Sequence, residues 1–194
     1  MTRNMNLNLP PLILASASPR REELLQQLGL DFAVVASDAP EVHHEQLTAR
    51  EISQLNAYRK ARAVAKRSPE ALVIGADTLV YLGTTLFGKP TDRADARRML
   101  QGLQGRTHEV VTGVCLMHLE AHRCHIFSET SSVTFHPLSE EMIEDYLGRV
   151  HTLDKAGAYA VQEHGHRIIE EISGSFSNVV GLPIGRVRRL LEAW

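Results

Sequence analysis

The chain has 194 residues, 43% of them hydrophobic, with 21 basic against 23 acidic side chains and a formal net charge of −2. That length and apolar fraction suit one domain with a substantial core. The near-balance of charge argues against a nucleic-acid or membrane-surface protein, though it leaves room for a local basic pocket. Two cysteines, Cys115 and Cys124, imply no disulfide framework and fit a reducing cytoplasm. There is no apolar run of the ~20 residues that a membrane span needs, and no signal-peptide pattern. Residues 1–10 read as a flexible leader ahead of a domain over 11–194.

Residues 12–15 read as a first strand, followed by a small-residue turn. Ser18 is placed to cap a helix with Pro19 at its first position, and Leu24, Leu25 and Leu28 line one face up to Gly29. Arg20 and Arg21 fall in the first turn, where free N–H groups already carry partial positive charge. Two readings are open: an anion site on a helix N-terminus, or a pair neutralised by Glu22, Glu23 or a distant carboxylate. Residues 30–36 look strand-like, and 37–46 form a polar loop with Asp38, Glu41, His43, His44 and Glu45.

Thr48 with Glu51 three residues on forms a capping box. The helix it opens is expected to reach about residue 67, burying Ile52, Leu55, Ala61 and Val64. Residues 71–76 are a continuous apolar run expected to end at Asp77-Thr78, as a strand buried on both faces. A hairpin is predicted around Gly83, then a helix capped by Thr91 and running to about Leu103. Two strands follow over 107–118 and 126–135, then a helix capped by Ser139 with Glu140 and Glu141 in its first turn. Residues 167–172 suggest a strand, 174–182 a loop, and Pro183 opens a terminal helix. Helices and strands alternate early and hairpins come later, which is a mixed α/β pattern.

The chain lacks a P-loop, a dinucleotide-binding glycine motif and a serine-hydrolase elbow. His118, His122, Cys124 and His125 are too close in sequence to wrap one tetrahedral ion, so they read as an exposed histidine-rich turn. What remains is a dispersed polar set: Ser16, Arg20, Arg21, Glu41, Lys60, Asp77, Lys89 and Gln162. Cations for phosphate charge and a carboxylate for a divalent ion or for water are what a polyphosphate needs. Singly, each residue also has a plain structural reading as a solvated charge or turn former.

The motifs Leu14-Ala15-Ser16-Ala17-Ser18-Pro19-Arg20-Arg21, Gly75-Ala76-Asp77-Thr78, Lys89-Pro90, His108-Glu109-Val110-Val111-Thr112-Gly113-Val114, Asp154-Lys155-Ala156-Gly157-Ala158-Tyr159 and Asn178-Val179-Val180-Gly181-Leu182-Pro183 occur in this order. In this the chain resembles the Maf family of nucleoside triphosphate pyrophosphatases, also called septum-formation inhibitors, over nearly its whole length. The resemblance implies an α/β domain with an elongated central mixed sheet and two lobes flanking a cleft, and a homodimer. It implies hydrolysis to the monophosphate and pyrophosphate by water attack at the α-phosphorus, assisted by Mg²⁺ or Mn²⁺. Asp77 is then the proton acceptor and, with Glu41, a metal-site member. Ser16, Arg20, Arg21, Lys60, Thr78, Lys89 and Gln162 bind substrate. Gln162 at the end of Ala156-Gly157-Ala158-Tyr159 is similar to the dTTP/UTP branch, and its amide can both donate to and accept from a uracil or thymine edge. The rival readings are a 7-methyl-GTP or modified-purine pyrophosphatase, and a non-catalytic septation regulator that binds nucleotide or nucleic acid. Pro40 before Glu41, Arg59 before Lys60 and Gly88 before Lys89 depart from the family pattern, which has acids there.

Overall fold

The computed structural model describes residues 9–44 and 46–194. Most of the leader read over residues 1–10, and Glu45 of the polar loop, lie outside the described residues. The fold is mixed α/β. Among the described residues one sheet of seven strands has the order β2-β1-β3-β5-β6-β7, with β4 paired to β3. The strands are β1 (Leu12–Ala15), β2 (Ala33–Val34), β3 (Leu72–Leu82), β4 (Thr85–Phe87), β5 (Thr107–His118), β6 (Arg123–Phe135) and β7 (Ile169–Ser173). The helices are α1 (Pro19–Gln26), α2 (Ala49–Ala65), α3 (Arg93–Leu103), α4 (Glu140–Arg149), α5 (Phe176–Val180) and α6 (Ile184–Glu192). None is long and apolar enough to cross a membrane.

β1 runs parallel to both its neighbours, with Leu14 opposite Val34 on β2 and Ala15 opposite Gly75 on β3. The chain leaves β1 to one side through α1 and returns on the other through α2. Such a reversal opens a crevice beyond the carboxyl ends of the strands, where open α/β sheets bind ligands. Ser16 follows β1 directly, and Asp77 lies two residues past the Ala15–Gly75 pair.

The chain divides into two compact units. One comprises residues up to Asp77, Thr112–Glu129 and Gly181–Trp194; the other comprises Thr78–Val111 and Thr130–Val180. The first has a core of small and β-branched side chains: Ile13, Ala15, Ala57, Ala61, Val64 and Val73. Small residues let α2 lie close on the sheet. A Cβ on Gly75 would come 2.3 Å from the Ala57 carbonyl oxygen, and one on Gly113 would come 2.3 Å from the Ser53 carbonyl oxygen. The second unit has a bulkier core that includes Leu100, Phe135, Ile143, Tyr146 and Tyr159. In it His108 is buried, its Nε2 2.8 Å from the Tyr159 hydroxyl and its ring edge-to-face with Phe135.

Several expectations need correction. β3 does not stop at Asp77 but continues through it to Leu82, so Asp77 is a mid-strand residue. Leu55, expected inside, is exposed, while its neighbour Asn56 is 1% exposed. α3 is capped by Asp92, not Thr91; the Thr91 N–H instead donates to Asp95 Oδ2. Ser18 occupies the N-cap of α1 without a side-chain capping bond. β2 shrinks to two exposed residues, β6 begins at Arg123, and the loop read over 174–182 contains α5. The capping box at Thr48, the hairpin at Gly83 and the Ser139 cap form as expected.

Candidate active site

The turn from β1 into α1 is built around Ser16. Its Oγ accepts from the Ser18 N–H at 3.2 Å and from Arg21 Nη1 at 3.3 Å. Arg21 Nε donates to the Gly181 carbonyl at 2.8 Å. The guanidinium is thereby held at two points of its fork, in an orientation lysine could not copy. Burial lowers the Arg21 pKa, the Asp77 carboxylate opposes that, Arg20 adds to it, and Glu41 opposes it again. Both carboxylates are thus within electrostatic reach of a helix start that carries two arginines.

β3 presents Asp77 at the base of this region, its side chain 5% exposed. α2 supplies two groups from one face, Asn56 and Lys60, four residues apart. Lys60 Nζ lies 2.7 Å from Asp77 Oδ1 and 2.7 Å from Glu41 Oε1. Asn56 Nδ2 donates to Asp77 Oδ2 at 3.0 Å and to the Val42 carbonyl at 3.1 Å, while its Oδ1 accepts from the Val42 N–H at 2.8 Å. Ser16, Arg21, Glu41, Lys60 and Asp77 therefore converge within the first unit. Asn56 joins them although the sequence reading passed over it. Its one trace in the sequence is a place on the stripe of α2 that also carries Ile52 and Lys60, and the adjacent Leu55 offers the interior a more apolar candidate.

Thr78, Lys89 and Gln162 belong to the second unit. Thr78 follows Asp77 on β3 and is half-buried; Lys89 and Gln162 are exposed. The Gly157 N–H donates to the Gly88 carbonyl at 3.0 Å, tying the Asp154–Tyr159 motif to the residue before Lys89. Gly157 (φ 71°) and Ala158 (φ 61°) both occupy the left-handed region. That is uncommon for alanine and marks a tightly determined turn. Lys155 is buried beside it, its Nζ 2.9 Å from Asp154 and 3.3 Å from Glu163, the neighbour of Gln162.

Chemically, the first-unit cluster combines a shielded carboxylate, an ammonium shared by two carboxylates and a fixed guanidinium. The two cations suit phosphate oxygens, the arginine in a bidentate fashion. Two carboxylates already face one cationic point, Lys60 Nζ. Among the described residues no group of three His, Cys, Asp or Glu side chains could hold a metal ion. This donor set fits a hard divalent cation that takes one or two carboxylates and fills its other positions with phosphate oxygens and water. It does not fit an all-protein zinc cage, and the same finding covers the turn with His118, His122, Cys124 and His125.

Comparison with known proteins places this geometry in context. A family profile described as "Maf-like protein" matches residues 11–194. A protein named "dTTP/UTP pyrophosphatase" from Akkermansia muciniphila is 44% identical over 185 residues, covering 95% of this chain and 96% of its own. Proteins of the same name from Acetivibrio thermocellus and Koribacter versatilis are 45% and 46% identical, each over 93% of this chain. Among solved structures, a HAM1 protein from Coxiella burnetii superposes with a TM-score of 0.55 at 16% identity, covering 96% of this chain and 100% of its own. That last likeness is one of fold alone.

Proposed function

The chain belongs to the Maf family, and on that premise we propose that it is a nucleoside triphosphate pyrophosphatase acting on dTTP and UTP. The observation that carries the reading is Lys60 Nζ set 2.7 Å from each of Asp77 and Glu41, beside the anchored Arg21. Relatives named for this activity at 44–46% identity over most of the chain supply the substrate class.

In this mechanism Ser16, Arg20, Arg21, Lys60 and Lys89 bind the triphosphate and offset its charge. Asp77 accepts a proton from water as its oxygen bonds to the α-phosphorus. The bond from that phosphorus to the oxygen bridging to the β-phosphate breaks, and pyrophosphate leaves with the bridging oxygen. Charge stabilisation by the fixed cations is the largest contribution, because phosphoryl transfer asks mainly for positioning and electrostatics. Asp77 and Glu41 would hold Mg²⁺ or Mn²⁺, which when bound supplies Lewis-acid neutralisation of phosphate oxygens. Thr78 and Gln162 contact the nucleoside. The compartment that goes with this reading is the cytoplasm, where nucleoside triphosphates are kept and free thiols such as Cys115 and Cys124 stay reduced.

The test is a screen of the purified chain against nucleoside triphosphates, 7-methyl-GTP included, with Mg²⁺ or Mn²⁺, separating pyrophosphate from orthophosphate. Pyrophosphate should appear with dTTP and UTP, and Asp77→Asn should lower turnover by roughly 10²- to 10⁴-fold while nucleotide still binds. Release of orthophosphate alone rejects attack at the α-phosphorus. Undiminished turnover in Asp77→Asn removes Asp77 as the base.

A further inference from the structure

We infer that Asn56 is the positioning residue of this site: one buried amide sets the orientation of Asp77 and holds the backbone beside Glu41. The inference rests on the proposed role of Asp77 as base. Asn56 is 1% exposed, and a buried amide at a helical position is costly unless its hydrogen bonds are made. Both Nδ2 hydrogens are spent, one on Asp77 Oδ2 at 3.0 Å and one on the Val42 carbonyl at 3.1 Å. Oδ1 takes the Val42 N–H at 2.8 Å. The reverse orientation would set an amide NH₂ against the Val42 N–H and an amide oxygen against a carboxylate. The amide therefore has one permitted orientation.

Its consequence is a division of labour across the Asp77 carboxylate. Oδ2 is anchored by Asn56, and Oδ1 faces Lys60 Nζ at 2.7 Å. The anchored oxygen fixes the plane of the carboxylate; the other is the edge that meets a water once Lys60 turns to phosphate. Because Val42 adjoins Glu41, the same amide also ties the loop carrying the second carboxylate to α2. Asn56 touches neither substrate nor reacting atoms in this scheme. It acts chiefly through Asp77, so most of its effect should vanish when Asp77 can no longer act.

The experiment is a double-mutant cycle on the full chain. dTTP hydrolysis with Mg²⁺ is measured for the parent, Asn56→Ala, Asp77→Asn and the double variant, each with its melting temperature. Asn56→Ala should lower kcat by about 10- to 100-fold with KM changed less than about threefold. In the Asp77→Asn background the same substitution should alter residual turnover by less than about twofold. A folded Asn56→Ala with unchanged kcat overturns the inference, and so does an equal loss in both backgrounds, which is what a purely structural role gives. Should Asn56→Ala not fold, Asn56→Asp decides: it keeps an acceptor for the Val42 N–H but loses the donor toward Asp77. Its kcat should fall by at least about tenfold where Asp77 is intact and by less than about twofold in the Asp77→Asn background. An equal loss in both backgrounds overturns the inference. A parent that releases no pyrophosphate from dTTP or UTP overturns the functional reading and this inference with it, whereas an active parent with an unaffected Asn56→Ala overturns this inference alone.

Discussion

Arg20 and Arg21 stand at the positive end of α1, where α4 by contrast carries Glu140 and Glu141. The unfavourable placement is tolerated because the Arg21 guanidinium is committed to Ser16 and Gly181, with Asp77 and Glu41 near enough to support its charge. One of the two readings left open by the sequence is met at Arg21, whose charge the distant carboxylates Asp77 and Glu41 support. The cations and acids of the site were legible through the motifs that resemble the family's, and Asp77 also because it closes an apolar run. Asn56 was not, since a neutral amide beside Leu55 gives no sign of which one faces inward. At this scale Gln162 carries the specificity prediction. Glutamate accepts but does not donate, so Gln162→Glu should lower kcat/KM for dTTP and UTP by about tenfold, the worth of one hydrogen bond to a base edge. Competition assays with 7-methyl-GTP check it; an unchanged preference for dTTP would detach Gln162 from base recognition.

Elements with a local cause could be read off the chain. The α2 capping box, the Gly83 hairpin and the Ser139 cap depend on residues within a few positions of one another. The misjudged ones have distant causes. β3 runs on through Asp77 because β4 pairs with its far end, Val80 opposite Phe87 and Leu82 opposite Thr85. Asn56 displaces Leu55 from the interior because Val42 and Asp77 supply its hydrogen bonds. α2 is where element packing meets chemistry, for it carries Asn56 and Lys60 and lies directly over Gly75. Gly75→Ala would drive a methyl into the Ala57 carbonyl, which backbone cannot evade cheaply. We expect a loss of about 3 kcal/mol in stability and a further fall in kcat, as α2 and its two polar groups shift from Asp77. Gly148→Ala is the control. Nothing lies within 4 Å of its added Cβ, and alanine late in α4 should be neutral or mildly stabilising by up to ~1 kcal/mol. Urea unfolding of both variants measures the contrast.

For the molecule as a whole, the two units share three strands yet differ in core chemistry, and the second hides a titratable group. Burial pushes the His108 pKa from its ordinary 6.5 down to about 4. Between those values the unfolded chain binds a proton that the folded chain refuses, so stability is full above 6.5 and declines as pH falls toward 4. The loss should total about 3 kcal/mol. Glu51 and Asp95, held low by the Thr48 and Thr91 N–H donors, and Glu144 and Asp145, held low by Arg93 and Arg149, contribute their own losses as pH falls toward and through 4.5 and 3.8. Unfolding free energies measured from pH 7 to 4.5 should therefore fall less in His108→Gln than in the parent; equal slopes would locate the acid sensitivity elsewhere. The bond from Arg21 to the Gly181 carbonyl spans 160 positions, and that span has a meaning during biosynthesis. At a ribosomal pace of ~5–20 residues per second, about 8 to 32 s separate the making of the arginine from the making of its anchor. The Arg21 guanidinium is set only after its anchor has been made, so a nascent chain holds no anchored Arg21 until Gly181 has emerged.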